Sequence, residues 1–251
     1  ESFESIGPDR WNAVISFAVE TAGAELTQLL NVVFGNFSLK PRVRVERIEL
    51  PKSMLALFKG PRFGVPGIRD MLDVHDRPFL CTALKPMGLS CETLSRLAYT
   101  FAKGGVDMIK DDHGLADQPF SPFKERVERC AEAVARANKE TGKRCLYFPN
   151  VSAPADGIVE KAKWAKACGA GGIMVAPGLI GYDTMRMLAE DDSIGLPIIC
   201  HPSFLGTFVA SRENGLAHSV TFGQLPRLAG ADATIYPNWG GRFTFTLQDC
   251  K

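Results

Sequence analysis

The feature that decides the fold is a ten-residue stretch, residues 104–113, with the sequence GGVDMIKDDH. Its apolar run, 106–109, is followed directly by an amine, two carboxylates and an imidazole. Side chains alternate along an extended chain, so Lys110 and Asp112 should project to one face. A lysine buried beside carboxylates is a candidate nucleophile or a component of a metal site. Taken alone, the stretch also fits a solvated turn that caps the next helix.

Apolar segments rich in strand-forming residues recur through the chain at a helix-and-loop spacing. They predict six strands, at 79–84, 106–109, 145–148, 172–176, 197–200 and 233–236. Between them, apolar residues at three- and four-residue steps predict helices at 94–103, 123–140, 158–168, 184–188 and 222–228. Near-continuous apolar strands that are joined by helices indicate a parallel sheet buried on both faces, either doubly wound or closed as a barrel.

The residues that follow the predicted strands favour the barrel. They are Lys85, Asp112 with His113, Asn150, Pro177, His201 and Asn238. In a (β/α)8 TIM-type barrel every strand delivers its last residue to one catalytic face, whereas a doubly wound sheet concentrates ligands at one switch point. The chain therefore reads as α/β, with a barrel domain at 59–251. Only six βα units are visible, so we expect this domain to lack its last two units.

Residues 1–58 differ in character from the rest. They predict an amphipathic helix at 21–33, a turn at Gly35-Asn36 and an alternating strand at 42–50, which together suggest a small α+β domain. The Gly- and Pro-rich segment 59–67 is predicted to be the linker between the two regions.

Composition narrows the class of protein. The 251 residues are 45% hydrophobic and 23% charged, and the net charge of +1 gives no basic excess for nucleic acid or an anionic membrane. The charge balance is more consistent with a small-molecule ligand than with nucleic acid or a membrane surface. The seven cysteines are scattered and form no CxxC pair, which is typical of reduced thiols. No apolar run is long enough for a membrane span, and residues 1–4 lack the layout of a signal peptide, so we expect a cytoplasmic protein.

Five segments resemble the RuBisCO large-subunit superfamily, in order and at comparable spacing. They are 60–64 (GPRFG), 82–86 (TALKP), 104–112 (GGVD with KDD), 118–120 (QPF) and 227–232 (RLAGAD). The resemblance implies that 1–58 is the C-terminal part of an α+β N-terminal domain and that a (β/α) barrel follows. It also implies a homodimer or higher homo-oligomer with active sites at the subunit boundary, and Mg²⁺ bound through a carbamylated lysine.

The resemblance assigns the metal and proton-transfer residues one by one. Lys110 matches the lysine that becomes carbamylated, and a carbamate supplies the hard oxygen that Mg²⁺ prefers. Asp112 matches a metal-ligating aspartate. His113 stands where carboxylases have a glutamate, and a neutral imidazole suits zinc, iron or nickel better than magnesium, so the metal site is expected to be changed. Lys85 resembles the lysine that handles protons at the substrate carbon.

The resemblance also implies a set of substrate-binding residues: Asn36, Lys85, His201, Asn238, Gly241 and Arg242. Asn36 matches an asparagine supplied by the partner subunit, although taken alone it fits a positive-φ turn after Gly35. His201 closes the fifth strand, and taken alone fits a satisfied buried histidine. Arg242 stands in the loop that closes over the substrate.

Departures from the carboxylase pattern bear on the substrate. Pro202 stands where carboxylases place a phosphate-binding arginine, and Ile235 replaces a phosphate-contacting histidine. Met87-Gly88 follows Lys85-Pro86 without the second lysine that carboxylases have in this segment. A bisphosphate needs cationic or N–H donors at both ends to offset its desolvation. The chain therefore resembles the type IV RuBisCO-like proteins, the non-carboxylating branch.

These resemblances predict metal-dependent proton abstraction and enolisation of a phosphorylated ketose, most simply by an isomerase acting on 5-methylthioribulose 1-phosphate. Diketo-phosphate enolases fit less well because their metal triad is closer to that of carboxylases. One alternative is a decarboxylase or transcarboxylase of a phosphorylated 3-oxo sugar acid. Another is a non-catalytic regulatory or stress-related barrel, in which His113 marks a dead metal site.

Overall fold

The computed structural model describes residues 1–241, 243 and 245–250. The N-terminal part contains a hairpin, two helices and one short strand. In chain order these are β1 (Ser2–Gly7), β2 (Arg10–Val14), α1 (Leu26–Phe34), β3 (Arg44–Val45) and α2 (Lys52–Leu55). The hairpin strands are antiparallel, and almost all of their residues are exposed.

The remaining elements alternate between helix and strand. They are α3 (Gly64–Leu72), β4 (Cys81–Leu84), α4 (Cys91–Gly104), β5 (Met108–Asp111), α5 (Phe123–Thr141), β6 (Leu146–Phe148), α6 (Ile158–Ala167), β7 (Ile173–Val175), α7 (Pro177–Ile180), α8 (Tyr182–Glu190), β8 (Ile198–Cys200), α9 (Gly206–Val209), β9 (Gly215–Leu216), α10 (Leu225–Leu228) and β10 (Ala233–Thr234). No helix in the described part of the chain is both long and apolar enough to cross a membrane.

Six parallel strands follow one another across the fold in chain order. Strands β4, β5 and β6 pair in one group, and β7, β8 and β10 in another. A parallel bridge between Asn150 and Met174 joins the groups, with the Val151 N–H donating to the Met174 carbonyl at 3.0 Å. This order confirms the α/β class. Within the residues that the structure describes, no pairing joins β10 back to β4, so the strand ladder does not close into a barrel.

Each of the six predicted strands is present, and four of the five predicted helices have the expected position. The exception is 222–228, where a wide π-helical turn at Ser219–Gln224 precedes the four-residue α10. Pro226 lies in the first turn of α10 and has no N–H with which to continue the hydrogen-bond ladder of the preceding turn. A single regular helix was therefore the wrong prediction here.

The predicted linker 59–67 is also partly wrong, because α3 begins at Gly64. Pro66 falls in the first turn of this helix, where backbone N–H groups have no intrahelical partner and proline is tolerated. Ile68 and Leu72 of α3 are buried against the sheet. Residues 64–67 thus belong to a helix that packs against the sheet and not to a linker.

The N-terminal segment is held to the rest by a shorter strand than predicted. Of the predicted strand 42–50, only β3 is paired, and it lies parallel to β9. The residues beyond it are held otherwise, since the Gln224 side chain accepts from the Ile48 N–H at 3.2 Å and donates to its carbonyl at 2.7 Å. Side-chain alternation alone could not show that this backbone bonds to an amide instead of a strand.

The sheet buries both of its faces. One face packs against α3, through Met108, Phe148, Met174 and Ile199. The other packs against the covering helices, through Ile109, Tyr147, Ile173, Val175, Ile198 and Cys200. All seven cysteines are free thiols.

The start of β5 is fixed by a helix end and an ion pair. Gly105 ends α4 at φ 94°, a left-handed conformation that favours glycine. Two residues later, Asp107 accepts from both terminal nitrogens of Arg77, at 2.7 and 2.8 Å, and from the Leu80 N–H at 2.8 Å. The bond from Arg77 lowers the pKa of Asp107. These contacts anchor the start of β5 beside the residues that lead into β4.

Candidate active site

Five polar side chains gather at the carboxyl ends of β4, β5 and β8. We call Lys85, Lys110, Asp112, His113 and His201 the site cluster. The Lys85 Nζ lies 3.4 Å from the Asp112 Oδ2, and the His113 Nδ1 lies 3.4 Å from the Asp112 Oδ1. The His113 and His201 rings stack with their centroids 4.6 Å apart and an interplanar angle of 13°. The structure thus brings together the residues that the sequence placed at three separate strand ends.

Asp112 is the anionic centre of the site cluster. It is only 9% exposed and accepts from the Gly114 N–H at 2.9 Å. Burial by itself would raise the pKa of Asp112, but the Gly114 N–H, His113 and Lys85 together lower it. These groups stabilise the ionised form of the carboxylate.

Lys110 projects from β5 into the same region and is half-buried. Burial lowers the pKa of Lys110, and Lys85 lowers it further, while Cys81, Asp112 and Asp111 act in the opposite direction. The Lys110 Nζ donates to the Asp111 carbonyl at 3.1 Å. Desolvation beside a second amine favours the neutral form of this lysine.

His201 has a defined proton arrangement. Its Nδ1 lies 3.2 Å from the Ser203 N–H and 2.9 Å from the Ser203 Oγ. Because a backbone N–H can only donate, Nδ1 is an acceptor, and the proton of the neutral ring is on Nε2. Burial lowers the pKa of His201 to about 3, helped by Lys110 and His113. The neutral ring is thus a hydrogen-bond donor at Nε2.

A buried network behind the site cluster was missed by the sequence analysis. Asp111 and Arg126 are fully buried and paired at 3.1 Å, and the Tyr147 hydroxyl donates to Asp111 at 2.7 Å. A signal was available, since Arg126 lies on the same helical face as Phe123 and Cys130, which are buried. An arginine on an apolar face needs a buried partner, and Asp111 is opposite in alternation to Lys110 and Asp112.

The remaining predicted site residues are Asn36, Asn238, Gly241 and Arg242. Asn36 is exposed in a 3₁₀ turn, Asn36–Leu39, and its φ is not positive, so the positive-φ explanation of this residue is wrong. Asn238 and Gly241 are exposed, and the Gly241 N–H donates to the Asn238 carbonyl at 3.3 Å. Among the contacts of the described residues, none joins these three to the site cluster. Arg242 lies outside the described residues.

The donor set fits a divalent cation only when Lys110 is modified. Across the described residues, no three His, Cys, Asp or Glu side chains gather as a metal site. The site cluster offers the Asp112 carboxylate and the His113 imidazole, beside two amines that would repel a cation. A carbamate on Lys110 would add an oxygen ligand and replace one positive charge by a negative one. With that change the residues fit the ion.

Comparisons with known proteins give the family. The model of the ribulose bisphosphate carboxylase large chain, catalytic domain, matches residues 64–240. Ribulose bisphosphate carboxylase-like protein 1 of Rhodopseudomonas palustris is 41% identical over 251 residues, which cover 100% of this chain and 66% of the relative. The crystal structure of a Rubisco-like protein from Rhodopseudomonas palustris superposes with a TM-score of 0.93 at 40% identity, covering 100% of this chain and 69% of that chain.

Two further relatives have names that state an activity. The 5-methylthioribulose-1-phosphate isomerase of Rhodospirillum rubrum is 37% identical and covers 100% of this chain and 66% of the relative. The 2,3-diketo-5-methylthiopentyl-1-phosphate enolase of Geobacillus kaustophilus is 38% identical and covers 90% and 55%. The chain thus spans between half and two thirds of the length of these curated relatives. By its matched domain, its identity to these relatives and its superposition, the chain belongs to the RuBisCO large-chain family.

Proposed function

We propose that this chain is part of a non-carboxylating RuBisCO-like enzyme that enolises a phosphorylated ketose, acting as an isomerase on 5-methylthioribulose 1-phosphate. The observation that carries the proposal is the site cluster, in which an amine, Lys85, lies 3.4 Å from the Asp112 carboxylate beside a second, half-buried amine. A relative covering this whole chain is named for the same activity.

The metal would be Mg²⁺, held by Asp112, His113 and a carbamate on Lys110. The neutral Lys110 amine adds to CO₂, forming an N–C bond and releasing one proton. Two lysines and one carboxylate carry a net charge of +1, which repels a cation, whereas carbamylation changes this to −1. When bound, the ion would polarise the ketone oxygen and stabilise the negative charge of the enediolate.

Lys85 would move the proton. The Lys85 amine would take a proton from the carbon beside the ketone. Return of a proton to the former ketone carbon, with the hydroxyl proton passing to the former ketone oxygen, would relocate the carbonyl. Asp112, whose Oδ2 lies 3.4 Å from the Lys85 Nζ, would stabilise the ammonium formed in the first step. His201, with its proton on Nε2, is suited to donate to a sugar oxygen.

The rest of the pocket is proposed from the family. Asn36 would be supplied by a partner subunit, since it does not reach the site cluster of its own chain, and the enzyme would work as a homodimer or higher homo-oligomer. Asn238, Gly241 and Arg242 would hold the single phosphate. The proposal includes the (β/α)8 barrel architecture of the family, a domain division at 58/59 and a cytoplasmic location.

Deuterium uptake tests the proposal directly. The holoenzyme, with Mg²⁺ and bicarbonate in D₂O, should incorporate solvent deuterium into 5-methylthioribulose 1-phosphate and convert it to an isomer. Lys110→Ala should abolish uptake, because the carbamate cannot form. Lys139→Ala removes an exposed lysine of α5 and should leave uptake unchanged.

Other outcomes separate the competing functions. Release of bicarbonate from a phosphorylated 3-oxo sugar acid would favour the decarboxylase. Enolisation only of the diketo-phosphate would favour the activity for which the Geobacillus relative is named. No exchange with any sugar phosphate, together with Mg²⁺ binding unchanged in Lys110→Ala, would refute an enzymatic role and leave a non-catalytic barrel.

A further inference from the structure

We propose that Tyr147 and Arg126 are positioning residues that set the direction of Lys110 and Asp112 by holding Asp111 on the opposite face of β5. This inference rests on the proposed function, because it states how the metal and carbamate groups are aimed. Among the described residues, no hydrogen bond or ion pair joins Tyr147 or Arg126 to the site cluster. Tyr147 acts through Asp111, and Arg126 acts through Asp111 and the loop after β5.

Asp111 is held by three donors that come from two different elements. Its Oδ2 accepts from the Arg126 Nε at 3.1 Å and from the Asn150 N–H at 3.0 Å. Its Oδ1 accepts from the Tyr147 hydroxyl at 2.7 Å. Arg126 belongs to α5, whereas Tyr147 and Asn150 belong to β6 and the residues after it. A carboxylate held in this way has no freedom to rotate.

The position of Asp111 in the chain gives the network its consequence. Asp111 is the residue between Lys110 and Asp112, and alternation places its neighbours on the other face of the strand. Holding the Asp111 carboxylate toward α5 therefore directs Lys110 and Asp112 toward the site cluster at the carboxyl ends of the strands. Loss of a donor would let the last residues of β5 rotate and the two site groups spread.

The same network also fixes the loop that follows β5. The Arg126 Nη2 donates to the Ala116 carbonyl and its Nη1 to the Ser121 carbonyl, both at 2.7 Å. The Asn150 side chain donates to the carbonyls of His113 at 3.1 Å and Leu115 at 3.0 Å. This loop includes His113 and also Gly114, whose N–H binds Asp112. Arg126 thus reaches the site cluster by two routes.

The opposite end of β5 supplies a matched control. Asp107 is held there by Arg77 through two hydrogen bonds, far from the carboxyl end of the strand. Both pairs anchor the same strand. A purely structural role for Asp111 would lower stability and leave the site unchanged, as cutting the Arg77 pair should, whereas a positioning role would change the site when the Asp111 network is cut.

The positioning role is tested with Tyr147→Phe, because this change removes one hydrogen bond to Asp111 and keeps the buried ring. Arg126→Met is less suitable, because it leaves the buried Asp111 carboxylate without its cation. With ¹³C-bicarbonate, the carbamate signal of the wild-type protein is followed by NMR as Mg²⁺ is added. We expect the half-saturating Mg²⁺ concentration to rise about 10-fold or more in Tyr147→Phe, as for other residues that orient metal ligands. Arg77→Met should lower the urea midpoint of unfolding but leave the half-saturating Mg²⁺ concentration within about twofold of wild type. A change of that size indicates no energetic coupling between Arg77 and the site.

A second measurement separates this inference from the proposed function. Labelling of Lys110 by an amine reagent in the metal-free protein, read by mass spectrometry against Lys139, reports the environment of the amine directly. We expect Tyr147→Phe to change this rate by at least about threefold, a coupling typical of residues in one hydrogen-bond network. Equal labelling in wild type and Tyr147→Phe would overturn the inference. Absence of any carbamate in the wild type would instead refute the proposed metal site, and labelling would still decide the inference.

Discussion

The buried pair between Arg126 and Asp111 should dominate the stability of the α5–β5 contact. Both side chains are fully buried, so Arg126→Met would leave the Asp111 carboxylate without a cation and out of contact with water. Removing one partner of such a pair costs about 3–5 kcal/mol. For a chain of this size the melting temperature should fall by about 6–20 °C, at about 2–4 °C per kcal/mol.

The assay is urea unfolding followed by tryptophan fluorescence, on the single variant and on the double variant Asp111→Asn with Arg126→Met. The double variant removes the uncompensated charge, so it should recover about half or more of the lost free energy of unfolding. A single variant that loses less than about 1 kcal/mol, the size of an exposed pair, would refute the reasoning. So would a double variant that is no more stable than the single one.

Three further predictions concern the site and the strand. Lys85→Met should reduce deuterium uptake by about 10²-fold or more, because it removes the proposed base, while the melting temperature stays within about 2 °C of wild type since Lys85 is exposed. Met87→Glu should raise the KM for an alkylthio ketose monophosphate about 10-fold, because it would place a carboxylate where an apolar side chain now borders Asp112. The Met87 Sδ and the Asp112 Oδ1 lie 3.2 and 3.3 Å from the point that a Cβ on Gly114 would occupy. Unchanged KM values would place Met87 outside the substrate pocket. Arg77 lowers the pKa of Asp107, so this pair stabilises the fold at neutral pH and the contribution disappears as the pH falls below the ordinary carboxyl pKa of about 4. The difference in urea midpoint between wild type and Asp107→Asn should therefore shrink as the pH falls from about 6 to about 3, a range that spans the ordinary carboxyl pKa. A difference independent of pH would contradict a stabilising role for the ionised Asp107.

The strand and helix order could be predicted because it depends on local pattern. The segments near 79–84, 145–148 and 197–200 are apolar throughout, and strands β4, β6 and β8 lie within them. Helix α5 begins at the predicted Phe123 and ends one residue beyond the predicted end. The errors fell where local pattern competes with tertiary contacts, as in the Gly- and Pro-rich start of α3 and in the strand that became β3.

The sequence also indicated the main members of the site cluster, because each follows an apolar strand directly. It could not give their distances, nor the stacking of His113 on His201, since these depend on how β5 and β8 are arranged around the mouth of the sheet. The contacts of Asp111 with Arg126 and Tyr147 were likewise not predicted from the sequence. Arg126 and Tyr147 are separated from Asp111 by 15 and 36 positions.

Periodicity, turn residues and short motifs are local properties of a chain, so they were enough to predict the α/β order, the family resemblance and the chemical types at the strand ends. That Lys85, Lys110 and Asp112 share one electrostatic environment, and that Asp111 turns away from it, follows from the three-dimensional packing. Charges act on one another through distance and burial, and these are set by the packing of strands and helices that are remote in the chain.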